Sequence, residues 1–231
     1  MLGTEELSKI GNLTIRRMAQ SICLCGATME LVTGGAGFIG SHLVDTLVAE
    51  GKRVRVLDNF SSGREDFLSH HQDSGMVEIF KGDLLDIDAV KSAMEGVKTV
   101  HHLAANPDIR LGTEVTDTDL RQGTLATYNV LEAMRNSDVR RISFSSSSAI
   151  YGEASVMPTP ETYGPVKPIS LYGASKLASE ALITAWCGTF GAKSWIHRFA
   201  NIVGPRGTHG VIYDFIHKLK REPRRLEVLG N

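Results

Sequence analysis

Thr33-Gly34-Gly35-Ala36-Gly37-Phe38-Ile39-Gly40 is the stretch of this 231-residue sequence that decides its fold. A short β-type run at residues 30–33 precedes it. Apolar residues then recur at helical spacing from Ile39 to Val48, until Gly51 supplies a helix stop. The stretch therefore joins a predicted strand to a predicted helix through a tight turn rich in glycine.

The spacing of these glycines indicates a chemistry as well as a turn. Gly35, Gly37 and Gly40 form a GxGxxG pattern, which allows backbone N–H groups at a helix N-terminus to approach a pyrophosphate. Asp58 ends the second predicted strand, 18 residues after Gly40, where a carboxylate can bind ribose hydroxyls and repel a 2′-phosphate. The sequence therefore predicts a dinucleotide site that favours NAD over NADP.

Strands and helices alternate along the rest of the chain. Strands are predicted at residues 30–33, 53–58, 77–80, 99–103, 140–145 and 193–199, and further helices at 87–94, 119–134, 171–190 and 211–221. This alternation predicts an α/β fold with a doubly wound, Rossmann-like parallel sheet. The proline-rich residues 157–168 are predicted to form an irregular surface loop.

Composition excludes several classes of protein. With 25 Lys plus Arg against 26 Asp plus Glu, the formal charge is −1, which argues against a nucleic-acid partner. No apolar run reaches the roughly 18 residues of a membrane helix. The three cysteines, Cys23, Cys25 and Cys187, form no CxxC pair, so we expect a reducing, cytoplasmic location and no metal site.

The N-terminal residues differ in character from the rest of the chain. Residues 1–28 lack the long apolar stretch of a secretory signal, and we expect them to be a poorly ordered extension. Met29 directly precedes the first strand, which suggests that the working protein begins there.

Two further motifs carry polar side chains that could act on a substrate. Tyr172 and Lys176 are spaced i, i+4 on a predicted helix and so share one face, although such a pair alone is a weak signal. A phenol of pKa ~10 is about a thousandth ionised at neutral pH, and a nearby ammonium and a cationic nicotinamide would reduce that deficit. Residues 145–152 follow a strand, either as a ligand-binding edge or as a plain polar loop.

His101 and His102 are adjacent on one predicted strand, so their side chains point to opposite faces of the sheet, which favours a structural role.

Together, these motifs resemble the extended short-chain dehydrogenase/reductase superfamily, in its NAD-dependent epimerase/dehydratase branch, and most closely the UDP-glucose 4-epimerase group. The matching segments, in chain order, are TGGAGFIGSHL (33–43), DNFSSGR (58–64), GDLLD (82–86), HLAANPDIR (102–110), SSSSAIYG (145–152), YGASK (172–176) and ANIVGPR (200–206).

The resemblance assigns roles to individual residues. It implies Ser147, Tyr172 and Lys176 as the catalytic residues and NAD as the cofactor. The implied cofactor contacts are Gly34, Gly37, Phe38, Ile39, Gly40, Asp58, Asn59, Ser62, Gly63, Asp83, Leu84, Leu103, Ala104, Ala105, Tyr172 and Lys176. The implied contacts to a UDP-hexose substrate are Ser147, Ala149, Tyr172, Asn201, Val211 and Ile212. The resemblance also implies a homodimer formed through the helices at 119–134 and 171–190.

Within this branch, the residues after Ser147 favour epimerisation. Dehydratases usually carry an Asp-Glu pair where this chain has Ser148-Ala149, and decarboxylases typically carry Glu where Ser148 stands. Two departures weaken the match. Gly123 occupies the place of a common Asn, and the chain stops at Asn231 before the family's segment that grips the diphosphate. We therefore expect an NAD-binding domain at 29–200 and an incomplete substrate segment at 201–231.

Two other interpretations stay open. Another nucleotide-sugar oxidoreductase or dehydratase would use the same Tyr172 and Lys176 on a different sugar. A catalytically idle NAD-binding protein would explain both departures from the family pattern.

Overall fold

The structure, a computed structural model, describes residues 28–228. The extension predicted at 1–28 lies outside the described residues, apart from Thr28. Cys23 and Cys25 lie outside them as well.

The centre of the fold is a six-stranded, fully parallel sheet in the order β3-β2-β1-β4-β5-β6. The strands are β1 (Met29–Thr33), β2 (Arg53–Asp58), β3 (Val77–Lys81), β4 (Val97–His102), β5 (Arg141–Ser147) and β6 (Lys193–Phe199). The order reverses between β1 and β4, which opens a crevice at their carboxyl ends where such sheets bind ligands. The predicted doubly wound α/β fold is confirmed.

An α-helix follows every strand except β2, which is followed by 3₁₀ turns. The α-helices are α1 (Phe38–Ala49), α2 (Ile87–Ala93), α3 (Leu111–Glu114), α4 (Ala126–Arg135), α5 (Leu171–Phe190) and α6 (Val211–Arg221). The helix predicted at 119–134 differs at its start, because Leu120–Leu125 is a π-helical turn. A Cβ on Gly123 would lie 2.7 Å from the Ser175 Oγ, so the glycine allows this wide turn to approach α5.

Apolar side chains cover both faces of the sheet. All five residues of β1 are buried, as expected for a strand with helices above and below it. One face packs against α2, α4 and α5 through residues such as Val90, Val130 and Ile183. The other packs against α1 through Val44 and Leu47. The sheet therefore holds the carboxyl ends of its strands in fixed positions.

The structure extends strand β5 and confirms the irregular proline-rich loop. Strand β5 continues to Ser147, two residues beyond the prediction, and a 3₁₀ turn at Ser148–Tyr151 follows it. The proline-rich residues 157–168 contain no helix or strand, as predicted. Among residues 28–228, no helix is both long and apolar enough to cross a membrane.

Candidate cofactor and catalytic site

The glycine turn between β1 and α1 leaves no room for a side chain at Gly34 or Gly40. Gly34 has a left-handed φ of +70°, and a Cβ there would lie 2.7 Å from the Ala104 nitrogen. A Cβ on Gly40 would lie only 2.1 Å from the Gly34 carbonyl oxygen. Inside the turn, the Gly37 N–H donates to the same carbonyl at 3.1 Å. This close packing places the N-terminal turn of α1, with its unpaired N–H groups, directly at the crevice.

Asp58 is held at the carboxyl end of β2 by backbone groups. Its Oδ2 accepts a hydrogen bond from the Ala36 N–H at 2.9 Å, and its Oδ1 accepts one from the Phe60 N–H at 2.8 Å. A Cβ on Gly63 would lie 2.9 Å from the carboxylate, so the glycine leaves the space that Asp58 needs. The fixed carboxylate lines the crevice, where it can still accept hydrogen bonds from ribose hydroxyls and would repel a 2′-phosphate.

Asp83 is less accessible than the sequence suggests. Its Oδ2 accepts a hydrogen bond from the Asn59 Nδ2 at 3.0 Å, and its Oδ1 accepts one from the Leu85 N–H at 2.8 Å. Asn59 and Leu84 line the crevice, whereas Asp83 is not among the lining residues. In this geometry, Asp83 orients Asn59, and its implied contact with the cofactor stays a prediction.

Ser147 and Tyr172 meet because two backbone segments approach closely. Ser147 ends β5, and its Oγ accepts a hydrogen bond from the Ala149 N–H at 3.1 Å. Ser170 directly precedes helix α5, and its Oγ caps the helix by accepting a hydrogen bond from the Gly173 N–H at 3.0 Å. A Cβ on Gly173 would lie 2.6 Å from the Ala149 carbonyl oxygen, so the start of α5 packs directly on the turn after β5. Ala149 takes part in this packing and does not line the crevice, unlike its predicted substrate role.

The charges around Lys176 and Tyr172 differ from the sequence-based expectation. Lys176 is buried, its Nζ donates to the Ser145 carbonyl at 2.7 Å, and burial lowers its pKa to about 8. Burial also raises the pKa of Tyr172, against a lowering by the Ser147 hydroxyl and a smaller raising by Asp119. The expectation that Lys176 lowers the Tyr172 pKa is therefore not met by these side chains, because desolvation of the phenol is the larger effect.

His102 links the glycine turn to α4, a role that its strand position alone did not reveal. Burial, and to a smaller extent Lys176, lower its pKa to about 3, so the ring is neutral. Its Nδ1 is 2.8 Å from the Thr33 Oγ1, and its Nε2 is 3.0 Å from the Thr127 Oγ1. Thr127 can donate to the Gly123 carbonyl at 2.7 Å while Thr33 accepts from the Ala104 N–H at 3.3 Å. These contacts agree with the predicted structural role.

A second network of hydrogen bonds fixes the carboxyl end of β5. Glu180 lies four residues beyond Lys176 on α5 and accepts hydrogen bonds from the Ser146 hydroxyl and from Arg198 on β6. Arg198 also donates to the Tyr151 hydroxyl at 3.0 Å. The pKa of Arg198 is raised, chiefly by its hydrogen bonds to Glu180. This network ties α5, β5 and β6 together beside Ser147.

The crevice has a volume of about 1030 Å³, at the upper end for small-molecule sites. It brings together the predicted residues Gly34, Gly37, Phe38, Ile39, Gly40, Asp58, Asn59, Ser62, Gly63, Leu84, Leu103, Ala104, Ala105, Ser147, Tyr172, Lys176, Asn201, Val211 and Ile212. The site residues predicted from the sequence do not include Asn106 or Gln122. They also do not include the residues from Ile202 to Gly210, although this stretch lies within the predicted substrate segment 201–231. The rule that parallel strands end at one sheet edge could have identified that stretch.

Replacing Lys176 with methionine is expected to change how stability depends on pH. In the unfolded chain, the Lys176 ammonium group keeps its proton up to about pH 10.5, whereas in the folded protein its pKa is about 8. Between these values the unfolded state binds more protons, so the stability of the unaltered protein rises with pH, by roughly 3 kcal/mol in total. The variant should lack this rise.

Urea unfolding at several pH values between about 8 and 10.5 gives the free energy of unfolding of the unaltered protein and of the Lys176→Met variant, and the two pH dependences are compared. Lys98→Met is the matched control, because Lys98 is exposed on β4 and its charge is solvated in both states. Parallel stability curves for the protein and its Lys176→Met variant would contradict the prediction.

Known proteins match this chain over most of its length. The sequence profile described as the NAD dependent epimerase/dehydratase family matches residues 30–231. A UDP-glucose 4-epimerase of Mycolicibacterium smegmatis is 35% identical over 195 residues, which cover 82% of this chain and 62% of that protein. Proteins named for a decarboxylase and a dehydratase of nucleotide sugars also match.

Solved structures match the fold as well. A crystal structure of a UDP-galactose 4-epimerase is 48% identical, with a TM-score of 0.76 over 86% of this chain and 64% of that one. A Thermus thermophilus UDP-glucose 4-epimerase in complex with NAD is 36% identical, with a TM-score of 0.77 over 87% of this chain and 64% of that one. The chain thus spans about three fifths of the length of these relatives.

Proposed function

Since this chain belongs to the NAD dependent epimerase/dehydratase family, we propose that it carries the catalytic part of an NAD-dependent nucleotide-sugar 4-epimerase. In this proposal the protein interconverts UDP-glucose and UDP-galactose through a 4-keto sugar. The observation that carries the proposal is the meeting of Ser147, Tyr172 and Lys176 in one crevice with the glycine turn and Asp58.

The residues of the crevice fit NAD, the cofactor of this family. The turn at Gly34 and Gly40 admits no Cβ, which leaves its backbone accessible to a pyrophosphate, and Asp58 suits an unphosphorylated ribose. When bound, NAD supplies the hydride acceptor for C4 of the sugar, the donor for its return, and a positive charge beside Tyr172.

Tyr172 is the proposed acid and base at the sugar C4 hydroxyl. Its buried phenol holds its proton tightly, so removing that proton requires added positive charge nearby. The Lys176 Nζ lies 5.7 Å from the centre of the Tyr172 ring, and in this proposal bound NAD would add the positive charge that the side chains alone do not supply. Ser147 lies beside the phenol, where its hydroxyl can orient or relay the proton.

The turn after β5 supports epimerisation over dehydration. Water elimination needs an additional acid and base next to the sugar. Here, Ser148 and Ala149 form the 3₁₀ turn that follows Ser147, and neither has a carboxylate. A dehydratase or another oxidoreductase of this family is the second candidate, supported by the matches to relatives with such names.

We propose the division of the chain that the sequence suggested. Residues 29–200 would bind the dinucleotide, since all six strands end by Phe199. Residues 201–231 would contact the nucleotide sugar, because Asn201, Val211 and Ile212 line the same crevice. The sugar itself must stay loosely held, because it has to turn before hydride returns to its other face.

A homodimer through α4 and α5 belongs to the same proposal. Tyr128 on α4 and Phe190 on α5 are each 43% exposed, and both contact the Trp186 ring. An exposed aromatic patch on two packed helices is typical of an interface. Light scattering should give twice the chain mass of 25.1 kDa, whereas the mass of one chain would contradict this part of the proposal.

An NMR time course of UDP-galactose with the protein, with and without added NAD, tests the proposed reaction. The expected result is the anomeric signal of UDP-glucose, growing to a constant ratio of the two sugars. Loss of a water molecule or of carbon dioxide from a panel of sugar nucleotides would instead indicate the second candidate. Bound NAD without turnover of any sugar nucleotide would indicate an idle dinucleotide-binding protein.

A further inference from the structure

Two histidines and an aspartate meet outside the crevice, at the side of α1. Asp45 lies on α1, while His70 and His71 form part of the 3₁₀ turn Ser69–His71. The Asp45 Oδ1 is 2.8 Å from the His70 Nε2 and 2.7 Å from the His71 Nε2. The three potential ligand atoms all lie within 4.8 Å of one another. Both imidazoles therefore converge on one carboxylate oxygen.

We propose that Asp45, His70 and His71 form a binding site for a divalent transition metal ion of the Zn²⁺ class. Two imidazole nitrogens and one carboxylate oxygen are a ligand set that Zn²⁺ accepts, with water at the fourth position. At Zn–N and Zn–O distances of about 2.0–2.2 Å, tetrahedral ligand atoms lie roughly 3.3 Å apart. The present hydrogen-bonded contacts need to open by only about half an ångström to admit the ion.

The surroundings of Asp45 prepare one of its oxygens for the metal. The Asp45 Oδ2 forms an ion pair with the Arg206 Nη1 at 2.8 Å, although the N–H bond is not well aligned. This pair leaves Oδ1 as the oxygen that faces both histidines. A partner on the second oxygen is the common way in which proteins orient a ligating carboxylate. The exposed His70 side chain provides the path for entry.

The site is separate from the proposed catalytic residues but contacts the loop after β6. Arg206 and Pro205 line the crevice. His42 lies on α1, one helical turn before Asp45, and its Nε2 is 2.9 Å from the Pro205 carbonyl oxygen. A metal ion on Asp45 would therefore fix the oxygen partner of Arg206 and with it the position of this loop. None of the three proposed ligands lines the crevice, so failure of the proposed reaction does not affect this inference.

Metal titration of the full chain without a histidine tag tests the site. Cys23, Cys25 and Cys187 are replaced with serine in every sample, because thiolates bind the same ions. Zn²⁺ is titrated in competition with a chromophoric chelator, and Co²⁺ is titrated with detection of its visible absorption. We expect one equivalent of each ion and the intense absorption of four-coordinate Co²⁺ bound by nitrogen and oxygen.

Substitutions locate the bound ion. Asp45→Asn keeps the size of the side chain but removes the charged ligand, and His70→Ala with His71→Ala removes both imidazoles. We expect each variant to weaken Zn²⁺ binding by at least about 100-fold. His217→Ala on α6 is the matched control and should leave affinity unchanged, since it removes a histidine outside the cluster.

Two results of the Zn²⁺ titrations, and one of the Co²⁺ titration, would overturn the inference. One is binding of less than half an equivalent of Zn²⁺ by the protein that keeps Asp45, His70 and His71. In that case these residues would only be hydrogen-bonded to one another. The other is unchanged affinity in both cluster variants, with circular dichroism confirming that they fold. The Co²⁺ spectrum provides a test that needs no variant, because a spectrum of hydrated Co²⁺ would also contradict the site.

Discussion

Replacing Tyr172 with phenylalanine is expected to reduce turnover of the sugar nucleotide by about 1000-fold or more, within the range of a lost acid–base residue. The variant keeps the ring that packs in the crevice and loses only the oxygen that is proposed to exchange a proton with the C4 hydroxyl. The glycine turn and Asp58 remain intact, so NAD affinity should change by less than about threefold, or roughly 0.7 kcal/mol.

Initial rates by NMR and cofactor content of the same sample measure both halves of this prediction. Tyr163→Phe is the matched control, because Tyr163 loses the same oxygen but lies in the proline-rich loop and does not line the crevice. A rate for Tyr172→Phe within tenfold of the unaltered protein would show that another group moves the proton. Loss of bound NAD together with activity would show that Tyr172 mainly holds the cofactor.

Replacing Gly40 with alanine is expected to abolish tight binding of NAD. The new Cβ would lie 2.1 Å from the Gly34 carbonyl oxygen and 2.8 Å from the Gly35 Cα, and both are backbone atoms that cannot rotate away. The turn must open, which costs roughly 1–3 kcal/mol of stability. It also displaces the N–H groups of α1, so we expect NAD affinity to fall by about 100-fold or more, or roughly 2.7 kcal/mol.

Calorimetric titration with NAD and thermal unfolding test this prediction. Gly188→Ala is the control, because Gly188 lies in α5, nothing approaches its Cβ position within 4 Å, and alanine favours a helix. That variant should bind NAD normally and melt at the same temperature or higher. Unchanged NAD affinity in Gly40→Ala would mean that the cofactor does not use this turn.

Several features of the fold were predictable because they depend on local rules. Alternating strands and helices imply a parallel sheet with helices on both faces, whatever the details of packing. The glycine spacing indicates a turn that is too tight for side chains at some of its positions. The structure agrees, because a Cβ at Gly34 or Gly40 would clash with backbone atoms. Asp58 was predictable because the end of a strand next to that turn is fixed in space.

Features that depend on contacts between distant segments were not predictable. Glu180 meets Arg198 across 18 residues, and His102 meets Thr33 across 69. Neither pair has a spacing that marks it in the sequence. Asp45 and the two histidines meet across 25 and 26 residues because the turn after β2 folds back on α1. Such clusters exist only once the helices have packed on the sheet.

Residue type and short-range spacing were sufficient to specify the fold class and the dinucleotide turn, whereas the candidate catalytic residues were implied by the resemblance to a known family. The charge and orientation of those residues, by contrast, were set by the folded arrangement of the whole chain. Folding turned Asp83 toward Asn59, used Ala149 for packing, and raised the pKa of Tyr172 through burial. The physical reason is that burial and hydrogen bonding depend on every segment that surrounds a group, whereas a motif specifies only its chain neighbours.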